Sequence, residues 1–538
     1  MRGRIIIMKK IISVCLALAM LAAMTVIMIP TASAAWDGSS VSAGLVGSGT
    51  EFDPYLISSE NDLAFVAKQV NDAVTSYEGE YFKLTVDLDL GNKLWTPIGV
   101  AKNYFHGTFD GDGHTISNLN VKLDPADSAA TNAGLFGRIC DGGIKNLTID
   151  GAKVYSSKYA GIVCGVLSCT AKTGSVFVDN CHVINAEAYG EQVAGIAGRS
   201  ATTGASKGQI SITGCSVDNL YLAQIPQSDY PDYKSKNHYV GGISGCAGAT
   251  VIDGCLVKNF TVDTMGTSLS TVGGIVGCQG ASGVATDVTN CYVLGAKYTA
   301  SADSHAEKTC LGGLIGKAAH VAVMAGDSNT EYNVFNCFVY DINLTNNTTS
   351  IRNGVVIGWV ADTIYFNDIY YVPAGELPSF GEDTYFNEWP FTVINAPSEL
   401  TAEKLNKGNS TAVWVDDVVL GHPTINVEAA LANAPTFVDY YVENAEETTA
   451  EETTAAPETQ APETQAPETQ APETQDPETT VEETQAPETQ ASETQAPETK
   501  APAQTEAPKA EGGCGGMIAG GVVVVALLGT ALVFKKRD

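Results

Sequence analysis

Between Gly99 and Tyr371 apolar and polar residues alternate in short runs, and glycine recurs too often for any stretch to hold a 3.6-residue period. That pattern predicts β-strands and excludes a helical domain. Two phrases take turns. The first is glycine, aliphatic residues and glycine: Gly134-Leu135-Phe136-Gly137, Gly161-Ile162-Val163-Cys164-Gly165, Gly195-Ile196-Ala197-Gly198, Gly242-Ile243-Ser244-Gly245, Gly274-Ile275-Val276-Gly277, Gly313-Leu314-Ile315-Gly316 and Gly354-Val355-Val356-Ile357-Gly358. The second is a strand opened by a small or amide residue, as in Asn146-Leu147-Thr148-Ile149, Asn180-Cys181-His182-Val183, Gly214-Cys215-Ser216-Val217, Gly254-Cys255-Leu256-Val257, Asn290-Cys291-Tyr292-Val293 and Asn336-Cys337-Phe338-Val339.

Short strands recurring every 28 to 47 residues or so, with loops absorbing the variation, predict a solenoid whose coils feed continuous parallel sheets. Equivalent positions then lie about 4.8 Å above one another. Cys181, Cys215, Cys255, Cys291 and Cys337 fall at one such position and are expected to form an internal ladder, with Asn180, Asn290 and Asn336 bridging at the bend beside it. Cysteine fits there as a small hydrophobe. Eleven cysteines from Cys140 to Cys337, an odd number without paired CxxC spacing, argue against a zinc site or a disulfide framework. A redox or metal role, or a bridge such as Cys164 to Cys169, is the alternative. The two five-residue glycine phrases, at Gly161 and Gly354, are expected to bulge.

Solenoids need covered ends, because an open sheet edge invites aggregation. Residues 35–98 are expected to form an N-terminal cap: Ser58-Ser59-Glu60-Asn61-Asp62 can start a helix whose apolar stripe is Leu63, Phe65, Val66 and Val70. Residues 99–372 form the β-helix. Residues 373–444 are expected to form a second cap in which Trp389, Phe391, Trp414 and Phe437 meet.

The flanks read as export and anchoring. Residues 1–34 have the order of a signal peptide, Met8-Lys9-Lys10, apolar Ile11 to Ile29, then Ala32-Ser33-Ala34. Residues 445–512 repeat Ala-Pro-Glu-Thr-Gln, which cannot bury enough surface to order itself and favours an extended stalk with a reach of up to ~200 Å. Residues 513–534, with the apolar run Met517 to Phe534, are long enough to cross a bilayer of about 30 Å. Residues 535–538, Lys535-Lys536-Arg537-Asp538, then form a cytoplasmic tail. No LPxTG-like sorting motif precedes that helix. The chain therefore reads as a bacterial cell-surface protein, single-pass, with an extracellular ectodomain.

The charge of −31, from 61 acidic and 30 basic side chains, makes nucleic acid an unsuitable partner. It is compatible with calcium but calls for no cofactor and no metal.

The Gly-Leu-Phe-Gly and Gly-Gly-Ile-Val-Gly phrases resemble the GLUG-motif repeat proteins of bacterial surfaces, whose motif also occurs in streptococcal immunoglobulin A peptidases. Trp95-Thr96-Pro97-Ile98-Gly99 and Phe109-Asp110-Gly111-Asp112-Gly113-His114-Thr115-Ile116 are similar to the opening of those proteins, and the likeness covers residues 44 to 360. It implies an all-β fold, a right-handed parallel β-helix like that of pectin lyases. It carries over no catalytic residue, and no His-Glu-x-x-His occurs in the chain.

No catalytic set emerges. Asp110, Asp112 and His114 read as turn chemistry, and His182 and His320 as ordinary surface residues. The repeat region has three arginines, Arg138, Arg199 and Arg352, and no cationic grouping is legible at one position of successive turns. For binding, the insertion Tyr221 to Tyr239 stands out, with Tyr230, Tyr233, His238 and Tyr239 as candidate contacts in an outward loop. The expected function is a surface-displayed binding or adhesion module for an extracellular glycan or glycoprotein. A polysaccharide lyase or glycoside hydrolase, or a passive envelope component, are the alternatives.

Overall fold

A left-handed bend, at asparagine in most coils and at glycine in the others, sets the path of the chain. Val176–Asp179 is followed by Asn180 at φ 48°, and His182–Tyr189 is itself bent at Asn185, φ 53°. The chain then enters Gln192–Ala194, turns at glycine, and leaves along Ala197–Ser200. Asparagine tolerates this backbone and can hydrogen-bond locally, where most residues would be strained. In the computed structural model the described residues are 36–169, 174–200, 209–225, 237–264, 269–279, 286–300, 309–318, 332–346, 352–360, 364–383, 391–406, 413–418, 420 and 422–433.

Stacking these coils gives a 20-stranded, a 7-stranded and an 8-stranded sheet, all parallel. Ile149, Val183, Val217, Val257, Val293 and Val339 share one register position and are fully buried. Each contributes roughly 1.5–3 kcal/mol by burial. The architecture is a parallel β-solenoid with its core inside the coils.

Helix α1, Glu60–Asn71, is capped by Ser59, whose side chain accepts from the Asp62 N–H at 3.3 Å. Leu63, Ala64, Val66, Ala67 and Val70 are buried in the same core as Ile57 of the first strand, while Phe65 is half-buried.

The far end departs from expectation. Phe391 is not part of a terminal cluster; its strand, Phe391–Val393, extends the sheet stack beside Ile369. Trp414 packs sideways, 5.4 Å between ring centroids from Tyr292, in a second core with Phe338, Leu400, Leu405 and Ile425. The reason is that Leu256, Tyr292, Phe338 and Tyr370 form an outward apolar column that needs cover. Trp389 and Phe437 lie outside the described residues.

The glycine phrases also differ from expectation. Gly161 aligns with Ala194 and Cys164 with Ala197, while Gly354 aligns with Gly312 and Ile357 with Ile315. The five-residue copies therefore have the same length as their neighbours and do not bulge. Ile162 and Val355 simply stand where Gly195 and Gly313 stand. The odd copy is the first: two residues separate Ala133 from Phe136, where three separate their partners Ala160 and Cys164.

Residues 1–34, expected to be a signal peptide, residues 445–512, expected to be a stalk, and the apolar run to Phe534 lie outside the described residues. Among those described, no helix is long and apolar enough to cross a membrane. Of two compact units, Met1–Ala456 and Pro457–Asp538, only the first contains described residues.

Candidate functional site

Where the chain turns at glycine between the 7- and 8-stranded sheets, outward side chains of the two sheets meet. On the 8-stranded sheet one register position runs Arg138, Val166, Arg199, Cys246, Cys278, Lys317, Trp359. On the 7-stranded sheet the facing position runs Asn132, Tyr159, Gln192, Tyr239, Thr271, Cys310. Arg352 follows Cys310, its carbonyl accepting from the Leu311 N–H at 2.9 Å. Contacts across the bend show that these columns are two walls of one groove: Arg199 Nη1 donates to Gln192 Oε1 at 3.4 Å, Arg352 lies 4.1 Å over the Trp359 ring, and Tyr239 packs on Cys246 and Cys278.

All three arginines of the repeat region, with Lys317, thus border one groove, although, as the sequence led us to expect, no two successive coils carry a cation at the same register position. Coil lengths vary, so residues at one register are unevenly spaced in sequence and only the stacking aligns them.

The groove is open in two stretches. In the lower, Arg138 lies 4.1 Å over Tyr104 and its Nε donates to Ser168 Oγ at 2.8 Å. Tyr159 stands near two cations, with Lys158 Nζ 5.0 Å and the Arg199 guanidinium 5.9 Å from its ring centre. Arg138, Tyr104, Tyr159, Gln192 and Arg199 are half-buried and Lys158 is exposed. In the upper stretch, Lys317 and Arg352 flank half-buried Trp359 at 4.5 and 4.1 Å. Between them Cys246, Thr271, Cys278 and Cys310 are fully buried. Hydrogen bonding to Cys278, then burial, raises the Cys246 thiol, and burial pushes Cys310 up to about 12.

Of the binding residues expected in an outward loop, Tyr230 and Tyr233 lie outside the described residues, and His238 and Tyr239 are corrected to buried strand positions. His238 alternates with outward Tyr239 on Asn237–Gly241 and is fully buried. Neither ring nitrogen has a well-formed hydrogen bond, and burial lowers the imidazole to about 3, with the Ala223 backbone weakly opposing. A strand period of two forces one of the pair inward.

Cys181, Cys215, Cys255, Cys291 and Cys337 stand in one buried column, continued by Leu147 below and Ile369 above. Burial holds the Cys181, Cys255 and Cys291 thiols well above their ordinary value. Beside them Asn180 donates to Asn146 at 3.0 Å, Asn290 to Asp253 at 2.8 Å and Asn336 to Asn290 at 3.4 Å. Asp110 pairs with Lys145, Asp112 with Lys83 and His114 with Asp87, at 3.4, 2.9 and 3.0 Å, as a surface turn network. His182 is held by Ser216 and Asn180 at 2.8 and 3.0 Å; His320 lies outside the described residues. Among the described residues no group of three or more His, Cys, Asp or Glu could hold a metal ion.

No protein-family model matches the chain. Over 158 residues, 27% of the chain, it is 35% identical to halomucin of Haloquadratum walsbyi. Over 122 residues, 21% of the chain, it is 35% identical to a protein of Evansella cellulosilytica provisionally described as a Gly-rich membrane protein. These matches span only 2% and 12% of those relatives' own length. Among solved structures, a provisionally assigned immunoglobulin A1 protease of Bacteroides ovatus aligns with a TM-score of 0.38 at 16% identity, over 71% of this chain and 94% of that one. An IgA1 protease aligns with a TM-score of 0.37 at 14% identity, over 60% and 22%.

Proposed function

We propose that this chain is a surface-displayed binding module that holds an extended extracellular glycan, free or on a glycoprotein, along the groove between its two smaller sheets. The observation that carries the reading is the groove itself: aromatic faces at Tyr104, Tyr159 and Trp359 interleaved with Arg138, Arg199, Lys317 and Arg352 on a rigid stack. Aromatic rings offer flat apolar surfaces to sugars, and fixed cations with amides orient polar substituents. Surface display is supported by the signal-like residues 1–34, the stalk and the apolar run to Phe534, and by relatives named as a mucin and a membrane protein.

The test is co-sedimentation of the full-length protein, in mild detergent, with insoluble mucin and plant polysaccharides. Protein is expected in the pellet without released oligosaccharide, and Tyr159→Ala is expected to weaken pelleting about tenfold. Released sugar would replace the binding reading with a polysaccharide-degrading enzyme.

A further inference from the structure

We infer that Cys246 and Cys278 are a redox pair that hydrogen peroxide closes into a disulfide between two successive coils of the groove, whatever the groove binds. The two occupy one register position on neighbouring parallel strands, so their side chains leave the sheet on the same side. Their Cα atoms are then about 4.8 Å apart, inside the roughly 4.4–6.8 Å that a disulfide spans. The same column places Arg199 one coil below Cys246 and Lys317 one coil above Cys278. Hydrogen bonding with Cys246, and after it the charges of Lys317 and Arg199, hold the Cys278 thiol below its ordinary value against the effect of burial. A neighbouring cation favours thiolate, and thiolate is the form that attacks an oxidant.

Access at this place is limited to very small molecules. Cys246 and Cys278 are fully buried, with Tyr239 packed on both. On the facing wall Thr271, next above Tyr239 in its column, is also fully buried, and its hydroxyl has no hydrogen-bond partner. A buried hydroxyl left open beside two thiols suits a water-sized polar visitor such as peroxide. The Cys278 thiolate attacks one peroxide oxygen, the O–O bond breaks, and the departing hydroxide takes up a proton to become water. Cys246 then attacks the sulfenic sulfur and gives its proton to the leaving hydroxyl; the S–S bond forms, the S–O bond breaks, and a second water departs. The two thiols lose two electrons and the peroxide gains them. The interior cysteine ladder lacks this setting. Its thiols donate to carbonyls of their own bend, Cys181 to Asp179 at 3.4 Å and Cys291 to Thr289 at 3.1 Å among them, and no lysine or arginine stands in their column. Against burial, hydrogen bonds from Cys181 and Cys255 lower the Cys215 thiol, but it stands in the apolar core inside the coils.

The experiment exposes the fully reduced full-length protein, in mild detergent at neutral pH, to a small excess of hydrogen peroxide, then alkylates the remaining thiols in urea and maps them by mass spectrometry. Expected is one linked peptide pair joining Cys246 to Cys278, lighter by the two thiol hydrogens, with the rest of the eleven cysteines from Cys140 to Cys337 alkylated. Dithiothreitol should restore both thiols. Cys246→Ser should leave Cys278 as a sulfenic acid that dimedone captures once urea opens the fold, whereas Cys278→Ser should leave Cys246 reduced. Lys317→Gln should slow closure about tenfold by making thiolate scarcer. The parent chain carries the decisive readout, so a variant that folds poorly does not obscure it. A bridge between other cysteines, within the ladder or through Cys310, would overturn the assignment. So would oxidation of Cys246 and Cys278 without a link between them, or a parent in which both stay reduced.

Discussion

Asparagine and glycine share the first left-handed bend of each coil, and the choice between them has a cause. Asn146, Asn180, Asn290 and Asn336 adopt φ between 48° and 54° there and link coil to coil through their side-chain amides. At Gly214 and Gly254 a Cβ would lie 3.0 Å from Val427 and from Ala430 of the C-terminal segment, so an asparagine side chain has no room. Near this bend lies Asp179, whose Oδ1 has no hydrogen-bond partner and whose carboxyl is raised to about 7, chiefly by burial and then by Cys215, with Thr213 and Lys145 opposing. Its ordinary value is 3.8. The penalty is absent below pH 3.8, grows as pH rises and the unfolded chain ionises first, and is complete above about 7. Asp179→Asn is therefore expected to gain roughly 4 kcal/mol over the parent at pH 8 and nothing at pH 3.5, in urea unfolding of both proteins. His238 acts in the opposite sense, costing stability as pH falls from 6.5 toward 3, so the difference between variant and parent isolates Asp179. A difference that does not change with pH would show that Asp179 is not buried as an acid.

At the scale of elements, the glycine bend decides how closely coils stack. A Cβ on Gly274 would come 2.2 Å from the Gly313 carbonyl oxygen of the next coil and 2.6 Å from Val293 Cγ2. Backbone cannot withdraw as a side chain can, so Gly274→Ala should cost about 3 kcal/mol. Gly113→Ala meets nothing within 4 Å and carries only the cost of its φ of 82°, about 1 kcal/mol. Thermal unfolding of the two variants should rank them in that order, and equal losses would mean that backbone conformation, not coil spacing, is what glycine serves. Helix α1 was legible because its cap and apolar period are local. The sideways packing of Trp414 was not, since it depends on Tyr292 and Phe338 lying on the outer face of coils distant in sequence.

For the whole solenoid, stacking converts sequence positions into columns with one environment each. The eleven cysteines from Cys140 to Cys337 are unbridged and buried, whether inside the coils or on the groove floor. The full chain in its native state should react with an impermeant thiol reagent at none of them, and in urea at all of them, as counted by mass spectrometry. Fast native labelling of Cys246 or Cys278 would instead mean that the middle of the groove opens.

The alternation of short strands and the recurrence of Gly and Asn-Cys phrases determined a parallel solenoid and the common register of Cys181 through Cys337, because those signals are local and repeat once per coil. The groove was decided by tertiary structure alone. Arg138, Arg199, Lys317 and Arg352 carry no motif, sit at uneven spacings, and come to border one groove only when loops of different length close into coils of equal height. The burial of His238 and Tyr239 has the same origin: sequence shows an insertion rich in tyrosine, but which of its residues resume the strand is fixed by hydrogen bonding to the coils on either side.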